Sequence, residues 1–209
     1  MLDNWTYIVL FISAIRTIYK MPATRQSTQP RRVGSGPNPL TMSTPANRSP
    51  FLKTPVLSNH RLVLREIGLA DVASIVEISV YDGVFARNET EAIRMLEKIN
   101  ADVARGESIH WGIFLKDNHE LAGTCGYYRG FAGNSGEIGY ILRPTYRGLG
   151  IMTEAVKLMV AFGLEKLKLQ NIIAYTSPEN SASMAVLRRV GFRKAKSDGD
   201  DLKFELQQP

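Results

Sequence analysis

The chain has 209 residues, 44% of them apolar and 22% charged, which is the balance of one good-sized soluble domain with a tail. Its net charge of +6 sits entirely in the first 60 residues, where Arg16, Lys20, Arg25, Arg31, Arg32, Arg48 and Lys53 face Asp3 alone; the remainder is neutral, so the basic balance does not mark a nucleic-acid-binding face on the domain. The single cysteine, Cys125, excludes an intrachain disulfide and fits a reducing, cytoplasmic setting, and with only His60, His110 and His119 beside it no metal site is expected.

The first elements are the hardest to place. "WTYIVLFISAIRTIY" is apolar but too short and too interrupted by Arg16 for a secure membrane span, and it lacks the basic start and small-residue cleavage site of a signal peptide. It reads as a membrane-surface or partner-binding helix, a weak anchor, or a stretch upstream of a true start at Met21 or Met42. Residues 22–58 are rich in Pro, Ser, Thr, Asn and Arg and read as a disordered linker, which completes a 1–58 tail ahead of a 59–209 domain.

From residue 61 the periodicity becomes regular. Residues 61–66 alternate and predict a half-buried strand; "LADVASIVEIS" has helical spacing, with Asp71 in its first turn. A helix is predicted over Glu89–Ala104, then strands over Ile109–Leu115, Leu121–Tyr128 and 136–142, with "KDNHE" and "GFAGNSG" as the turns between them. A helix from about 151 to 168 buries Met152, Ala155, Val156, Met159 and Gly163. "NIIAYTS" is a strand, "NSASMAVLRRVGF" a helix ending at Gly191, and "GFRKA" and "LKFEL" are closing strands. This order predicts an α+β fold with a mixed sheet. Cys125, inside a strand-like run, reads as a buried structural thiol rather than a nucleophile.

Two glycines, Gly148 and Gly150, stand just ahead of the long helix in "TYRGLGIMTEA". Helix N-termini present unpaired N–H groups and partial positive charge, and glycines let an anion come close to them. A P-loop would need Lys-Ser/Thr after the loop, where Ile151-Met152 stands; the dinucleotide fingerprint would need a third glycine, where Thr153 stands. A simple turn and an anion cradle of another type are left.

Four blocks in order, "HRLVLREIGLADVASI", "LAGTCGYY", "GEIGYILRPTYRGLGIMTEAV" and "NSASMAVLRRVGF", resemble the GNAT acetyltransferase superfamily, and within it the RimJ/RimL-like branch that acetylates protein N-termini. The resemblance covers about residues 60–206. It departs from the family loop at Thr145, where Gln or Arg is usual. It implies a mixed central sheet flanked by helices on both sides, with acetyl-CoA as acetyl donor and no metal. It also implies transfer to a primary amine, most often a protein N-terminal α-amine, by direct attack through a tetrahedral intermediate.

The same resemblance assigns the site. The amides of Arg147, Gly148, Leu149, Gly150, Ile151, Met152 and Thr153 would cradle the pyrophosphate, with Arg147 adding a side-chain contact or facing solvent. The backbone of Tyr140, Ile141 and Leu142 would pair with the pantetheine arm. Asn180 would cap a helix and touch the cofactor, with Ser181 and Arg188 as weaker contacts. Amine acetylation needs a proton acceptor, and Glu137, sharing a strand face with Gly139 and Ile141, is the candidate base, directly or through a water. Ser183, the serine of Asn-x-x-Ser, is the candidate acid for the leaving thiolate, there being no tyrosine beyond Tyr175. Against these stand a carboxylate paired with a cation and a serine that serves the helix terminus. Trp111, Tyr127 and Tyr128 line an acceptor groove or pack in the core, the core being favoured for Trp111. Phe85 and Arg87 shape the entrance. The expected partners are acetyl-CoA and an amine acceptor, with the chain a monomer or homodimer. A small-amine acetyltransferase and a non-catalytic acyl-CoA-binding module are the competing functions.

Overall fold

The structure is a computed structural model that describes residues 48–197 and 199–207. The apolar start and most of the expected tail lie outside the described residues. Residues 48–58, expected as the end of that tail, instead lie packed on the domain. Ser49 donates its N–H to the Gly106 carbonyl at 2.7 Å, and the Phe51 ring stands 5.2 Å from that of Phe162. The buried Trp111 indole donates to the Pro55 carbonyl at 2.6 Å. The composition is tail-like, but Phe51, Pro55 and Leu57 recur often enough to tie the segment down.

Strands β1 (Leu57–Ser58) and β2 (Leu62–Arg65) are joined by a turn in which Asn59 Oδ1 accepts the N–H groups of Arg61 and Leu62. The segment Leu69–Ile78 is a 3-10 helix rather than an α-helix. Its buried residues, Val72, Ile75 and Ile78, recur every three positions, the period at which 3-10 side chains eclipse. A small hairpin, β3 (Val80–Tyr81) and β4 (Val84–Phe85), turns at Asp82-Gly83, both with positive φ. Helix α1 (Glu89–Ala104) starts where Asn88 Oδ1 accepts the Glu91 N–H.

Next come β5 (Ile109–Leu115), β6 (Leu121–Tyr128) and β7 (Ser135–Leu142), a continuous antiparallel meander. Helix α2 (Ile151–Glu165) ends three residues earlier than expected, and the chain leaves it through Lys168 at φ 56°. Then follow β8 (Asn171–Thr176), α3 (Ser181–Val190), β9 (Arg193–Ala195) and β10 (Leu202–Gln207). Gly191, at φ 106°, terminates α3 as a left-handed cap.

The eight strands of the main sheet run in the order β1-β2-β5-β6-β7-β8-β10-β9. Every pair is antiparallel except β7–β8, which is parallel and short, from Ser135↔Asn171 to Glu137↔Ile173. The larger core lies between the sheet and helices α2 and α3, around Trp111, Tyr127, Met159, Phe162 and Phe204. The smaller lies on the opposite face, under the 3-10 helix and α1, around Val72, Ile75, Leu96 and Phe114. The fold is therefore α+β, with a mixed sheet between helices on both sides. Among the described residues no helix is long and apolar enough to cross a membrane.

Candidate active site

Pairing between β7 and β8 stops at Glu137↔Ile173, and beyond it the edge of β7 has no strand partner among the described residues. A cavity of about 670 Å³ occupies this split and reaches both faces of the sheet. On the α1 side its wall includes Thr124 and Tyr128 of β6 and Glu137, Gly139 and Ile141 of β7. On the α3 side it is closed by Tyr140, Ala174, Asn180 and Ser183. The strand period of two explains the division: Glu137, Gly139 and Ile141 share one face of β7, Ile138 and Tyr140 the other.

Glu137 is one of a pair. The Arg129 guanidinium donates to Glu137 Oε1, and the Glu137 side chain is 16% exposed. Burial pushes its carboxyl above the ordinary carboxylate range, with the charge and hydrogen bond of Arg129 pulling the other way. Ser183 stands in the first turn of α3, where its N–H is capped by Asn180 Oδ1 at 3.0 Å. Its Oγ lies 3.0 Å from Tyr140 Oη. Sequence reasoning looked for a tyrosine only beyond Tyr175 and read Tyr140 for its backbone. The alternation that sends Glu137 to one face also sends Tyr140 to the face that α3 covers, and that was the available signal.

The glycine loop sits between β7 and α2. A single turn of 3-10 helix, Pro144–Tyr146, brings the chain round. The Arg147 guanidinium donates twice to the Leu142 carbonyl, at 3.3 Å each, so its side chain braces the loop on the end of β7. Gly148 and Gly150 both have φ 77°, and a Cβ built on either meets nothing within 4 Å. Left-handed backbone is therefore one reason for glycine here, and open space in front of the loop is the other. Ile151 and Met152 are buried in the core behind, so they offer the loop their N–H groups only. The first-turn carboxylate Glu154 is held from the far side by Arg61 at 3.1 Å and Asn59 at 3.0 Å, and Arg61 also donates to the Leu149 carbonyl. That clamp fixes the loop and offsets a negative charge close to the positive end of the helix dipole. The open loop, the N-terminal amides and the unpaired edge of β7 fit a long thioester donor with a pyrophosphate.

Other expected residues fall elsewhere. Trp111 and Tyr127 are fully buried in the larger core and do not line the cavity. The Tyr127 hydroxyl donates to the Met159 carbonyl where Gly163 lets it approach α2. Tyr128 does line it, as do Tyr81 and Asp82. Phe85 and Arg87 line a separate shallow depression with Glu77 and Arg143, and Arg87 pairs with Glu91 at 2.6 Å, so the entrance expected of them lies one hairpin turn earlier. Ser181 and Arg188 are exposed and are not part of the cavity wall. Cys125 is buried, and burial pushes its thiol up, away from the thiolate a nucleophile needs. Among the described residues no group of three or more His, Cys, Asp or Glu side chains is placed to hold a metal ion.

Known proteins match this architecture. Residues 61–193 match the model of the acetyltransferase (GNAT) domain family. The chain is 32% identical to the uncharacterized N-acetyltransferase YoaA of Bacillus subtilis (strain 168), over 67% of this chain and 84% of that one. It is 27% identical, over 54% of this chain and 59% of the other, to the [ribosomal protein uS5]-alanine N-acetyltransferase of Escherichia coli (strain K12). In fold it is similar to Mycobacterium smegmatis RimJ in complex with CoA-disulfide, with a TM-score of 0.61, 22% identity, and coverage of 73% of this chain and 86% of that one. The match over most of the described domain, together with a split sheet and a glycine-rich helix terminus, makes this chain a member of the GNAT family, an acetyl-CoA-dependent N-acetyltransferase.

Proposed function

We propose that the protein acetylates the α-amine of a peptide or protein N-terminus, with Glu137 as the proton acceptor and Ser183 as the group that serves the leaving sulfur. One observation carries this reading: a single cavity runs through the split between β7 and β8, with Glu137 on one side and the Ser183–Tyr140 pair on the other. Amine attack and thiolate departure need proton acceptance and proton donation at opposite ends of one short path.

Acetyl-CoA supplies the activated thioester. The N–H groups of residues 147–153 would hold its pyrophosphate, the β7 edge at Tyr140, Ile141 and Leu142 its pantetheine arm, and Asn180 would border the thiol end. Glu137 takes the proton that the ammonium form of the acceptor must lose, directly or through a water. Ser183, with its Oγ hydrogen-bonded to Tyr140, is ready to pass a proton outward. The likeness to uS5-alanine and RimJ enzymes supports a protein N-terminus as acceptor.

A small cationic amine is the second reading, favoured by Asp82 on the cavity wall, where Asp102 and Glu107 are both paired with Arg105. The deciding experiment is thiol release from acetyl-CoA by the full chain, with peptides of varied N-terminus set against polyamines, amino acids and aminoglycosides. Turnover of peptides beginning with Ala, Ser or Thr is expected. Turnover of small amines alone would move the function to metabolite acetylation, and no turnover of any acceptor would sink the catalytic reading.

A further inference from the structure

The cavity has a polar wall that the chemistry above leaves unused. Ser108, just before β5, and His110, two residues on, project from the same side of the chain, and Tyr128 at the end of β6 lies beside them. His110 Nδ1 is 2.8 Å from Tyr128 Oη. The imidazole is buried, and burial pushes it down to about 4, so it stays neutral. Ser108 is 4% exposed, and its Oγ is buried without a partner.

The fold makes room for these groups. A Cβ on Gly126 would stand 2.7 Å from Tyr128 Cζ and Oη, so the Tyr128 ring lies over a bare backbone. The partner of Gly126 across the next ladder is Gly139, also without a side chain, which hollows the wall between β6 and β7. In the same ladder Tyr128 pairs with Glu137. Ser108, His110 and Tyr128 therefore form a strip that starts beside Glu137 and leads across the sheet, away from Ser183.

A buried polar group left without a partner is costly, and the Ser108 hydroxyl, beside the hydrogen-bonded His110–Tyr128 pair on a cavity wall, is complementary to a ligand that brings donors and acceptors. An alkylamine brings none beyond its nitrogen. An amino-terminal residue brings a carbonyl and the next amide within three bonds of its α-amine. We infer that Ser108, His110 and Tyr128 form the acceptor subsite, binding the first peptide group of the acceptor while the amine lies at Glu137. This rests on reading the cavity as the acetyl-transfer site. A site of this kind rejects analogues that leave its polar groups unpaired, so it sets specificity for peptide over simple amine.

The test is steady-state kinetics of the full chain with a peptide beginning in Ala and with isopropylamine, the same amine without its peptide group. Ser108→Ala and Tyr128→Phe are each expected to lower kcat/KM for the peptide ~10-fold. The KM for acetyl-CoA and the slower rate with isopropylamine stay as in the wild type. Peptide kinetics unchanged in both variants, or an equal loss with both acceptors, overturns the subsite and leaves the peptide acceptor standing. Should Tyr128→Phe not fold, Ser108→Ala decides alone, since it removes only an unpartnered hydroxyl. Wild-type turnover of isopropylamine with none of the peptide sinks the proposed acceptor class and this inference together, and a wild type silent with both sinks the catalytic reading as well.

Discussion

Glu137 is held between two opposing influences, and pH separates them. Burial raises its carboxyl, Arg129 opposes, and the net direction is upward. A base works only when deprotonated, so activity falls as pH drops through its raised pKa. The acid limb of kcat/KM contributed by Glu137 should therefore lie above the ordinary carboxylate range and below the limb set by the acceptor amine. Glu137→Gln should erase that limb and lower kcat by about 10²-fold or more. An unaltered limb in the variant would assign it to another group. At the other end of the cavity, Ser183→Ala should lower kcat by about 10²-fold with little change in the KM for acetyl-CoA. Tyr140→Phe should cost less, about 5- to 10-fold, because it removes one hydrogen bond to Ser183 and not the proposed proton donor itself. Equal losses in the two variants would make Tyr140 the donor. The sequence carried Glu137 and Ser183 through motif resemblance. It carried neither partner: Arg129 lies eight residues from Glu137 and Tyr140 forty-three from Ser183, and only the register of β6 with β7 and the packing of α3 bring each pair together.

Helix α2 and its leading loop depend on two kinds of glycine. At Gly150 the requirement is conformational: φ is 77° and nothing stands within 4 Å of a Cβ. Gly150→Ala therefore carries the left-handed penalty of about 1–2 kcal/mol, and it adds a methyl to the space in front of the cradle. The expected result is a KM for acetyl-CoA raised about tenfold together with a melting temperature lowered by roughly 2–8 °C, measured by kinetics and circular dichroism together. At Gly163 the requirement is steric, because an added Cβ would overlap the hydroxyl of the buried Tyr127. Gly163→Ala should cost about 1–3 kcal/mol of stability, through displacement of Tyr127 or of α2, and lower the melting temperature accordingly. Intact stability in that variant would mean that the Tyr127 ring has room to move. Most elements were legible because their signals are local. Asn88 and Asn180 cap α1 and α3, Gly191 ends α3, and strand-like runs bounded by turn residues mark the meander. The helix over Leu69–Ile78 was legible but its 3-10 type was not, because Val72, Ile75 and Ile78 satisfy a general helical pattern as well as a strict three-residue one.

At the scale of the molecule, the segment 48–58 ties the larger core to β5, through Phe51 on Phe162 and Pro55 on Trp111. It runs along β5, where Trp111 and His110 both bond to it: the Trp111 indole donates to the Pro55 carbonyl, and Thr54 Oγ1 donates to the His110 carbonyl at 3.1 Å. Composition hid this, since Pro, Ser, Thr, Asn and Arg dominate the longer stretch 22–58 that contains the strap, and the few anchors are spread along eleven residues; only the tertiary slots for Phe51 and Pro55 reveal them. The cost of losing the strap follows from what it leaves behind. The fully buried Trp111 would retain its N–H without a partner, an effect of about 1–3 kcal/mol, and Phe162 would lose the ring of Phe51. For a chain of this size about 3 kcal/mol corresponds to roughly 6–12 °C in melting temperature. A protein beginning at Leu57 should therefore melt that much lower than one beginning at Arg48. Because His110 sits on the same stretch of β5, the shorter chain should also show a raised KM for the acceptor amine, while the KM for acetyl-CoA, whose proposed site lies at α2 and the far edge of β7, stays close to that of the longer chain. Equal melting temperatures for the two would show that Trp111 and Phe162 find other partners when the strap is gone, and residues 48–56 would then belong with the tail.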